Sequence, residues 1–293
     1  MTESIVFKSD DARQRMKAWH ARFMAELDDF DVREEDIDTP FGTTRILRGG
    51  DPEAPPLVSL HGALSGAPHA MGQMPGLFDH FDVYAPNILG HSAQGDEVRL
   101  PLKGDAYAQW ISAIMDHYGL DSALFCAASW GAFVTLRTAT HAPERVRRMA
   151  LMVPAGLVSG PAWAGLTKVG WPLMRYKLRP TPERLERALA NLFTDLEDPM
   201  WMPFMGDVFN DFKTDLSIPP LLSKGDLDGY RGKALIIAGS HDLSFPGERI
   251  QKRAPEVLPD VEVHVVRGMR HTPPFQEAGR AEIERRIIEF LER

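Results

Sequence analysis

The sequence has little of several features that define other classes of protein. Cys126 is the single cysteine among 293 residues, so no disulfide can form within the chain. No apolar run approaches the ~20 residues that a membrane-spanning helix requires. Residues 1–11 lack the basic and apolar stretches of a signal peptide. These absences predict a cytoplasmic protein without a membrane span.

Basic charge and metal-binding patterns are also scarce. Lys and Arg number 33 against 41 Asp and Glu, and the formal net charge is -8. This balance argues against nucleic acid or an anionic membrane as the main partner. The ten histidines show no metal-ligand spacing such as His-Glu-x-x-His. We therefore expect neither a metal nor a cofactor.

One stretch, residues 124–133, organises the rest of the chain. An apolar run ends at Ser129, and a helical pattern follows it. Small residues, Ala127 and Gly131, stand two positions either side of the serine, although glycine is usual at both positions. This pattern is typical of a nucleophile elbow, in which a sharp strand-to-helix turn exposes the serine hydroxyl. The alternative interpretation is a serine that stands by chance in a buried strand–helix turn. The rest of the sequence is needed to distinguish this interpretation from a nucleophile elbow.

The remaining sequence alternates between strand and helix patterns. A strand pair is predicted over 38–48, followed by strands at 57–60, 82–87, 122–127, 146–153, 233–239 and 261–266. Helices are predicted at about 10–27, 71–79, 106–118, 130–140, 246–254 and 278–291. Such alternation predicts an α/β fold with a mostly parallel, twisted sheet covered by helices on both faces.

The alternation is lost between residues 156 and 228. This segment, which we call the insertion, is rich in Trp, Met and Phe, and Thr181-Pro182 marks a helix start within it. We predict a helical lid over the carboxyl ends of the strands, where open α/β sheets bind ligands. Residues 1–155 and 229–293 would then form one core domain. The apolar side chains of the insertion either pack on that core or form an adaptable wall for a substrate.

An acid and a base follow two later strands of the predicted sheet. Asp242 lies just beyond the strand at 233–239, and His271 lies just beyond the strand at 261–266. Because the carboxyl ends of parallel strands share one edge, both can meet Ser129. A serine hydroxyl needs such a base, and the base needs an orienting carboxylate. We therefore expect a Ser129–His271–Asp242 catalytic triad. Along the chain the three residues come in the order Ser, Asp, His, which is the order associated with the α/β-hydrolase fold.

The developing oxyanion of acyl transfer needs two preorganised donors. The backbone N–H of Trp130 begins the predicted elbow helix, and the Trp130 side chain could line the pocket. The backbone N–H of Ala63 follows His61-Gly62 after an earlier strand. We expect these two N–H groups to form the oxyanion hole.

Together, the motifs resemble the α/β-hydrolase superfamily, and specifically its bacterial carboxylesterases with a helical lid. The matching motifs are His61-Gly62-Ala63, Gly90-His91-Ser92, Ala127-Ala128-Ser129-Trp130-Gly131, Pro143-Glu144-Arg145-Val146, Gly239-Ser240-His241-Asp242 and Gly268-Met269-Arg270-His271-Thr272-Pro273. Two positions depart from the family pattern: Ala127 replaces a glycine, and Asn87 replaces a common aspartate. The resemblance implies a Ser-His-Asp hydrolase that needs no cofactor, and it names no substrate.

The sequence favours hydrolysis of small apolar carboxylic esters through an acyl-enzyme. Lactone hydrolysis, carbon–carbon bond hydrolysis and perhydrolysis are the enzymatic alternatives, although residues 61–66 lack the Ser-Gly-x-Gly-Pro run of carbon–carbon hydrolases. A ligand-binding receptor that retains the triad is a further alternative. Epoxide hydrolase and haloalkane dehalogenase chemistry is excluded because it uses an aspartate where Ser129 stands. Monomer and homodimer both stay open.

Overall fold

The structure is a computed structural model, and it describes residues 4–196, 198–213 and 217–293. Four positions of the insertion, 197 and 214–216, and three of the first eleven residues, 1–3, therefore lie outside the described residues. Within the described ranges, no helix is both long enough and apolar enough to cross a bilayer.

An eight-stranded sheet forms the centre of the molecule. Its strands are β1 (Arg33–Thr39), β2 (Gly42–Gly49), β3 (Pro56–Leu60), β4 (Asp82–Pro86), β5 (Ala123–Ala128), β6 (Val146–Met152), β7 (Lys233–Gly239) and β8 (Val261–Val266). They lie in the order β1-β2-β4-β3-β5-β6-β7-β8. The β1–β2 and β2–β4 pairs are antiparallel, and the other pairs are parallel. The prediction of a mostly parallel sheet is confirmed.

Helices surround the sheet. They are α1 (Asp10–Ala25), α2 (Ala67–Met71), α3 (Leu77–His80), α4 (Ala106–His117), α5 (Trp130–His141), α6 (Ala162–Gly165), α7 (Trp171–Leu178), α8 (Pro182–Leu189), α9 (Trp201–Asp211), α10 (Gly247–Val257) and α11 (Glu277–Glu292), and a π-helical segment (Leu166–Gly170) joins α6 to α7. The helix predicted over 71–79 is wrong. Gly72, Pro75 and Gly76 separate two short helices there, because a proline nitrogen cannot donate to a helical carbonyl.

The core consists of two apolar layers, one on each face of the sheet. Alternate residues of β5 divide between them: Phe125 packs with α4, α5 and α10, whereas Leu124 and Cys126 pack with α2, α3 and α11. The Cys126 thiol is fully buried, and burial raises its pKa to about 12. It is therefore a core side chain that stays protonated.

Helix α1 packs against helix α9 of the insertion. The Ser9 hydroxyl caps α1 by accepting the N–H of Ala12. Trp19 Nε1 donates to Asp207 Oδ2 at 2.8 Å. Arg15 Nε and Nη2 bind the two oxygens of Asp211 at 2.8 and 2.6 Å. Such paired contacts fix the position of α9 relative to the N-terminal helix.

Candidate active site

Ser129 lies in a strained turn between β5 and α5. Its φ of 50° and ψ of -107° belong to a region that residues with a side chain rarely adopt. Gly131 makes the turn possible, because a Cβ at that position would lie 2.4 Å from the carbonyl oxygen of Leu60. Ala127, by contrast, is fully packed with its methyl group in place. The substitution of alanine for the usual glycine is therefore accommodated, and the essential glycine is the second one.

Strained backbone in this chain is concentrated around one cavity. Leu64, Ser129 and Val153 are the non-glycine residues with positive φ among the described residues, and all three line it. The turn at Ser129 is held by its neighbours: its N–H donates to Met152, and its carbonyl accepts from Phe133 and Ala155. Such strain persists only where the surrounding structure enforces it, and it clusters at functional sites.

The structure brings the three predicted triad residues together. Ser129 Oγ lies 3.1 Å from His271 Nε2, and His271 Nδ1 lies 3.0 Å from Asp242 Oδ2. Ser129 and His271 line the cavity, whereas Asp242 is 2% exposed and lies beneath the imidazole. The strands β5, β7 and β8 supply these residues just beyond their carboxyl ends, because parallel strands end at the same edge of the sheet.

Asp242 is held in its charged form. Burial acts to raise the pKa of this carboxyl, but the charge of His271 and its hydrogen bond lower it. Backbone N–H groups of Phe245 and Ser244 lower it further, at 3.1 and 2.7 Å from Oδ1, and the resulting pKa is below its ordinary value. A buried carboxylate with all these donors is oriented as well as charged. It can therefore fix the His271 ring and accept its Nδ1 proton in a hydrogen bond.

The loop that carries His271 is tied to the insertion. The Thr194 hydroxyl donates to the carbonyl of Thr272 and accepts the N–H of Arg270, so it bridges both neighbours of His271. Thr272 N also donates to the carbonyl of Leu192 at 2.9 Å. Sequence reasoning missed Thr194, because no local pattern connects residue 194 with residue 271.

Both residues that carry the predicted oxyanion donors lie near Ser129: Trp130 follows it in the chain, and Ala63 follows Gly62, where an added Cβ would lie 3.7 Å from the Ser129 Cβ. Ala63 lines the cavity in the loop of residues 61–66, which we call the β3 loop, and Trp130 is the first residue of α5. Neither backbone N–H donates to another described residue. The side chain of Trp130 is not among the residues that line the cavity, so the expectation that it could line the pocket is wrong. Instead, it is buried against the rings of His91 and Phe133, at centroid distances of 4.3 and 5.8 Å.

His61 anchors the β3 loop to the end of β4. Its Nδ1–H donates to the Gly62 carbonyl at 2.6 Å, and its Nε2 accepts the N–H of Ile88 at 2.8 Å. Burial lowers the pKa of His61 to about 4, so the ring is neutral. Only a neutral ring can make both bonds, since Nε2 must carry a lone pair. His61 therefore orients the β3 loop and is not placed as a base.

Asn87 reinforces the same region. Its Oδ1 accepts from the Ala67 N–H at 3.0 Å and from the Ser92 hydroxyl at 2.9 Å, while Nδ2 donates to the Arg45 carbonyl at 3.2 Å. A carboxylate has no donor for that carbonyl. The departure from the common aspartate is thus explained by the hydrogen bond to Arg45.

The cavity above Ser129 has a volume of about 240 Å³. The insertion supplies one apolar wall, formed by Leu192, Phe193, Trp201, Phe204, Met205 and Phe209. His69 and Gln73 also line the cavity, and the His69 ring lies against Trp201 of the insertion. Sequence reasoning missed both residues because no motif marks either of them. Across the described ranges, no group of three or more His, Cys, Asp or Glu side chains is arranged to hold a metal ion.

Comparison with known proteins places these features in a family. The model of the alpha/beta hydrolase fold matches residues 55–205. Two Bacillus subtilis proteins are similar over most of their length: an uncharacterized carboxylesterase, nap, at 22% identity (87% of this chain, 85% of the relative), and carboxylesterase YbfK at 21% (87% and 86%). The crystal structure of naproxen esterase from Bacillus subtilis superimposes with a TM-score of 0.81 at 20% identity, covering 97% of this chain and 99% of that one. The chain belongs to the alpha/beta hydrolase fold family.

Proposed function

We propose that this protein is a serine hydrolase that cleaves carboxylic esters through an acyl-enzyme intermediate. The observation that carries the proposal is the continuous Ser129–His271–Asp242 contact, with links of 3.1 and 3.0 Å, which opens into an apolar cavity. The carboxylesterase names of the two curated relatives support the choice of ester as substrate.

The acylation step uses the two nitrogen atoms of His271 differently. His271 Nε2 accepts the hydroxyl proton as Ser129 Oγ attacks the ester carbonyl carbon, and Asp242 stabilises the imidazolium through Nδ1. The carbon–oxygen bond to the alcohol then breaks, and Nε2 returns its proton to the departing oxygen. Water then attacks the acyl-Ser129 ester while His271 Nε2 accepts a proton from that water. The bond between the acyl carbon and Ser129 Oγ breaks, Nε2 returns the proton to Oγ, and the carboxylic acid leaves.

The oxyanion of each tetrahedral intermediate lies between two fixed donors. The N–H groups of Ala63 and Trp130, which have no other acceptor among the described residues, donate to it. The neutral His61 holds the first donor, and the helix α5 holds the second. One such donor contributes roughly 10²–10³-fold to the rate in related chemistry.

The size and the lining of the cavity suggest the substrate class. A volume of about 240 Å³ with mostly apolar walls suits a small apolar ester.

The insertion at 156–228 acts as the lid domain over the core of residues 1–155 and 229–293. A cytoplasmic location and a monomeric or homodimeric state stay predictions.

Labelling with a fluorophosphonate probe tests the nucleophile. We expect the folded wild-type protein to be labelled and Ser129→Ala to be unlabelled, because the probe traps only an activated serine. Hydrolysis of short p-nitrophenyl esters tests the activity. Ser129→Ala and His271→Ala should each lose on the order of 10⁴-fold in kcat.

Ser223→Ala, at an exposed serine that does not line the cavity, serves as the matched control and should label and turn over normally. If the folded wild-type protein is not labelled by the probe, the serine-hydrolase proposal is wrong. Labelling without ester turnover would keep the nucleophile and point to a different acyl substrate.

A further inference from the structure

His69 is a second histidine in the cavity wall that the proposed triad does not use. It is 6% exposed and lines the cavity on the side of α2. Its Nδ1 shares a hydrogen bond with the Ser65 hydroxyl. Its other nitrogen, Nε2, is buried and has no hydrogen-bond partner among the described residues. This atom is therefore a polar group without a protein partner beside the substrate space.

Aromatic side chains fix the orientation of the His69 ring. The rings of Trp201, Phe23 and Phe204 lie at centroid distances of 3.8, 4.6 and 5.1 Å. Together with the bond to Ser65, these contacts leave the imidazole no room to turn its free nitrogen towards water. Nε2 is consequently held in one place before any ligand arrives.

Gln73 provides a second unpartnered donor four residues further along. Its Nε2 is also buried without a partner in the described part of the chain, and the residue lines the same cavity. Buried polar groups in native proteins are normally paired, and an unpaired one destabilises the fold. Two such groups in a mostly apolar cavity indicate that a ligand supplies the missing partner.

The chemistry of the two residues defines that partner. Burial, together with a smaller effect of the nearby His61, lowers the pKa of His69 to about 3, so the ring is uncharged at neutral pH. We assign the tautomer in which the Ser65 hydroxyl donates to Nδ1 and the ring proton is on Nε2. His69 Nε2–H and the Gln73 amide are then neutral donors, which suit an uncharged acceptor oxygen.

We propose that His69 and Gln73 form a polar subsite that binds an ether, carbonyl or hydroxyl oxygen of the substrate, away from the ester bond that is cleaved. This inference rests on the proposed function and narrows its substrate class: the ester is apolar over most of its length and carries one neutral acceptor oxygen. The subsite selects such esters over all-carbon esters of the same shape.

Matched esters test the subsite. The first series is p-nitrophenyl hexanoate and its analogues with one methylene replaced by oxygen at each chain position beyond the carbon next to the carbonyl. The second series places the same replacement in the alcohol of hexanoate alkyl esters, at least two carbons away from the ester oxygen. Each kcat/KM is divided by the rate of alkaline hydrolysis of the same ester. We expect at least one oxygen position to be favoured on the order of tenfold over the all-carbon ester, mainly through a lower KM. A tenfold ratio is what one or two good hydrogen bonds support.

Substitutions connect this preference to the two residues. His69→Phe keeps a ring between Trp201 and Phe204 but removes both nitrogens, and Gln73→Met keeps the length of the side chain. Each should remove most of the preference, measured within one variant as the ratio of kcat/KM for the oxygen-containing ester to that for the all-carbon ester, so that a general change in turnover cancels. His80→Phe, at a surface histidine paired with Glu292, is the control and should retain the preference.

A structural role for His69 makes the opposite predictions. If the residue only stabilised the fold, His69→Phe would lower the melting temperature and would depress turnover of all esters equally. We expect an unchanged or higher melting temperature, because the substitution removes a buried unpaired donor. If neither series shows a favoured position, or if both variants keep the preference, the inference is wrong. A preference for a chain ending in carboxylate would also overturn it and point to Arg280, which lines the same cavity.

Binding to the inactive Ser129→Ala protein separates this inference from the proposed function. With ¹⁵N-labelled histidine, the His69 Nε2 resonance should shift when the favoured oxygen-containing ester is added and not with the all-carbon ester. A shift without ester turnover by the wild type would keep the subsite and remove the esterase proposal. If Ser129→Ala abolishes turnover but the His69 resonance does not shift and no oxygen position is favoured, the subsite is wrong and the esterase proposal stands.

Discussion

At the scale of single residues, the site depends on which side chains the backbone can accept. The elbow could be predicted from sequence because its requirements are local: an apolar strand, a serine and small neighbours lie within ten residues. His69 and Gln73 could not be predicted, because their significance comes from partners that they lack after folding. Only the completed structure shows that an atom is buried and unpaired.

Gly131→Ala should damage both the fold and the activity. The added methyl group would lie 2.4 Å from the Leu60 carbonyl oxygen and 2.7 Å from that of His61. Relieving these clashes requires β3 or α5 to move, at a cost of about 1–3 kcal/mol in the free energy of unfolding. Because the same movement displaces Ser129 and Trp130, we expect kcat to fall on the order of 10²-fold. Urea unfolding and ester kinetics measure the two effects.

Ala127→Gly is the matched control for that prediction. It restores the usual residue at the other small position of the elbow, and the native structure already accommodates the larger methyl group there. Activity should stay within a few-fold of the wild type. Equal losses in the two variants would contradict the explanation that the Leu60 contact makes Gly131 essential.

At the scale of helices and strands, prediction succeeded where the burial pattern was regular. Most parallel strands are apolar over most of their length, β8 alternates apolar and polar residues, and all were found within one or two residues. Strand β1 was found only from residue 38, because Arg33–Thr39 buries only Ile37 and otherwise reads as a polar loop. The position of the insertion relative to His271 was beyond prediction, since it depends on contacts such as that between residues 194 and 272.

Thr194→Val tests whether the insertion positions His271. The substitution preserves the shape of the side chain but removes the hydroxyl that binds the backbone of Arg270 and Thr272. We expect kcat to fall about tenfold with little change in KM, because a displaced imidazole slows proton transfer more than it weakens binding. Steady-state ester kinetics provide the measurement.

The control for this experiment is Thr167→Val. The Thr167 hydroxyl donates to the carbonyl of Trp163 within its own exposed helix, so its loss should leave kcat unchanged. If Thr194→Val raises KM and leaves kcat intact, the hydroxyl shapes the cavity and does not position the histidine.

At the scale of the whole molecule, two buried neutral histidines make the fold sensitive to acid. The folded-state pKa values of His61 and His69 are about 4 and about 3, against 6.5 when the chain is unfolded. The unfolded chain therefore binds more protons below pH 6.5, and stability falls as the pH falls. Each histidine should contribute a loss of about 1.4 kcal/mol per pH unit from pH 6.5 down to its folded pKa.

The free energy of unfolding, measured by urea titration between pH 7 and pH 5, tests this expectation. The wild type should lose stability across the range, and His69→Phe should lose less because one of the two histidines is absent. His80→Phe, with an exposed histidine, should follow the wild type. Equal slopes for the wild type and His69→Phe would contradict the neutral, buried state assigned to His69.

The account as a whole depends on a covalent bond between substrate and Ser129. Rapid-quench mass spectrometry of the protein with a p-nitrophenyl ester tests it most directly. We predict a burst of p-nitrophenol together with a mass increase equal to the acyl group, located on the peptide that contains Ser129 and absent from Ser129→Ala. Turnover of the ester by the wild type without any covalent adduct, or with an adduct on another residue, would contradict the account.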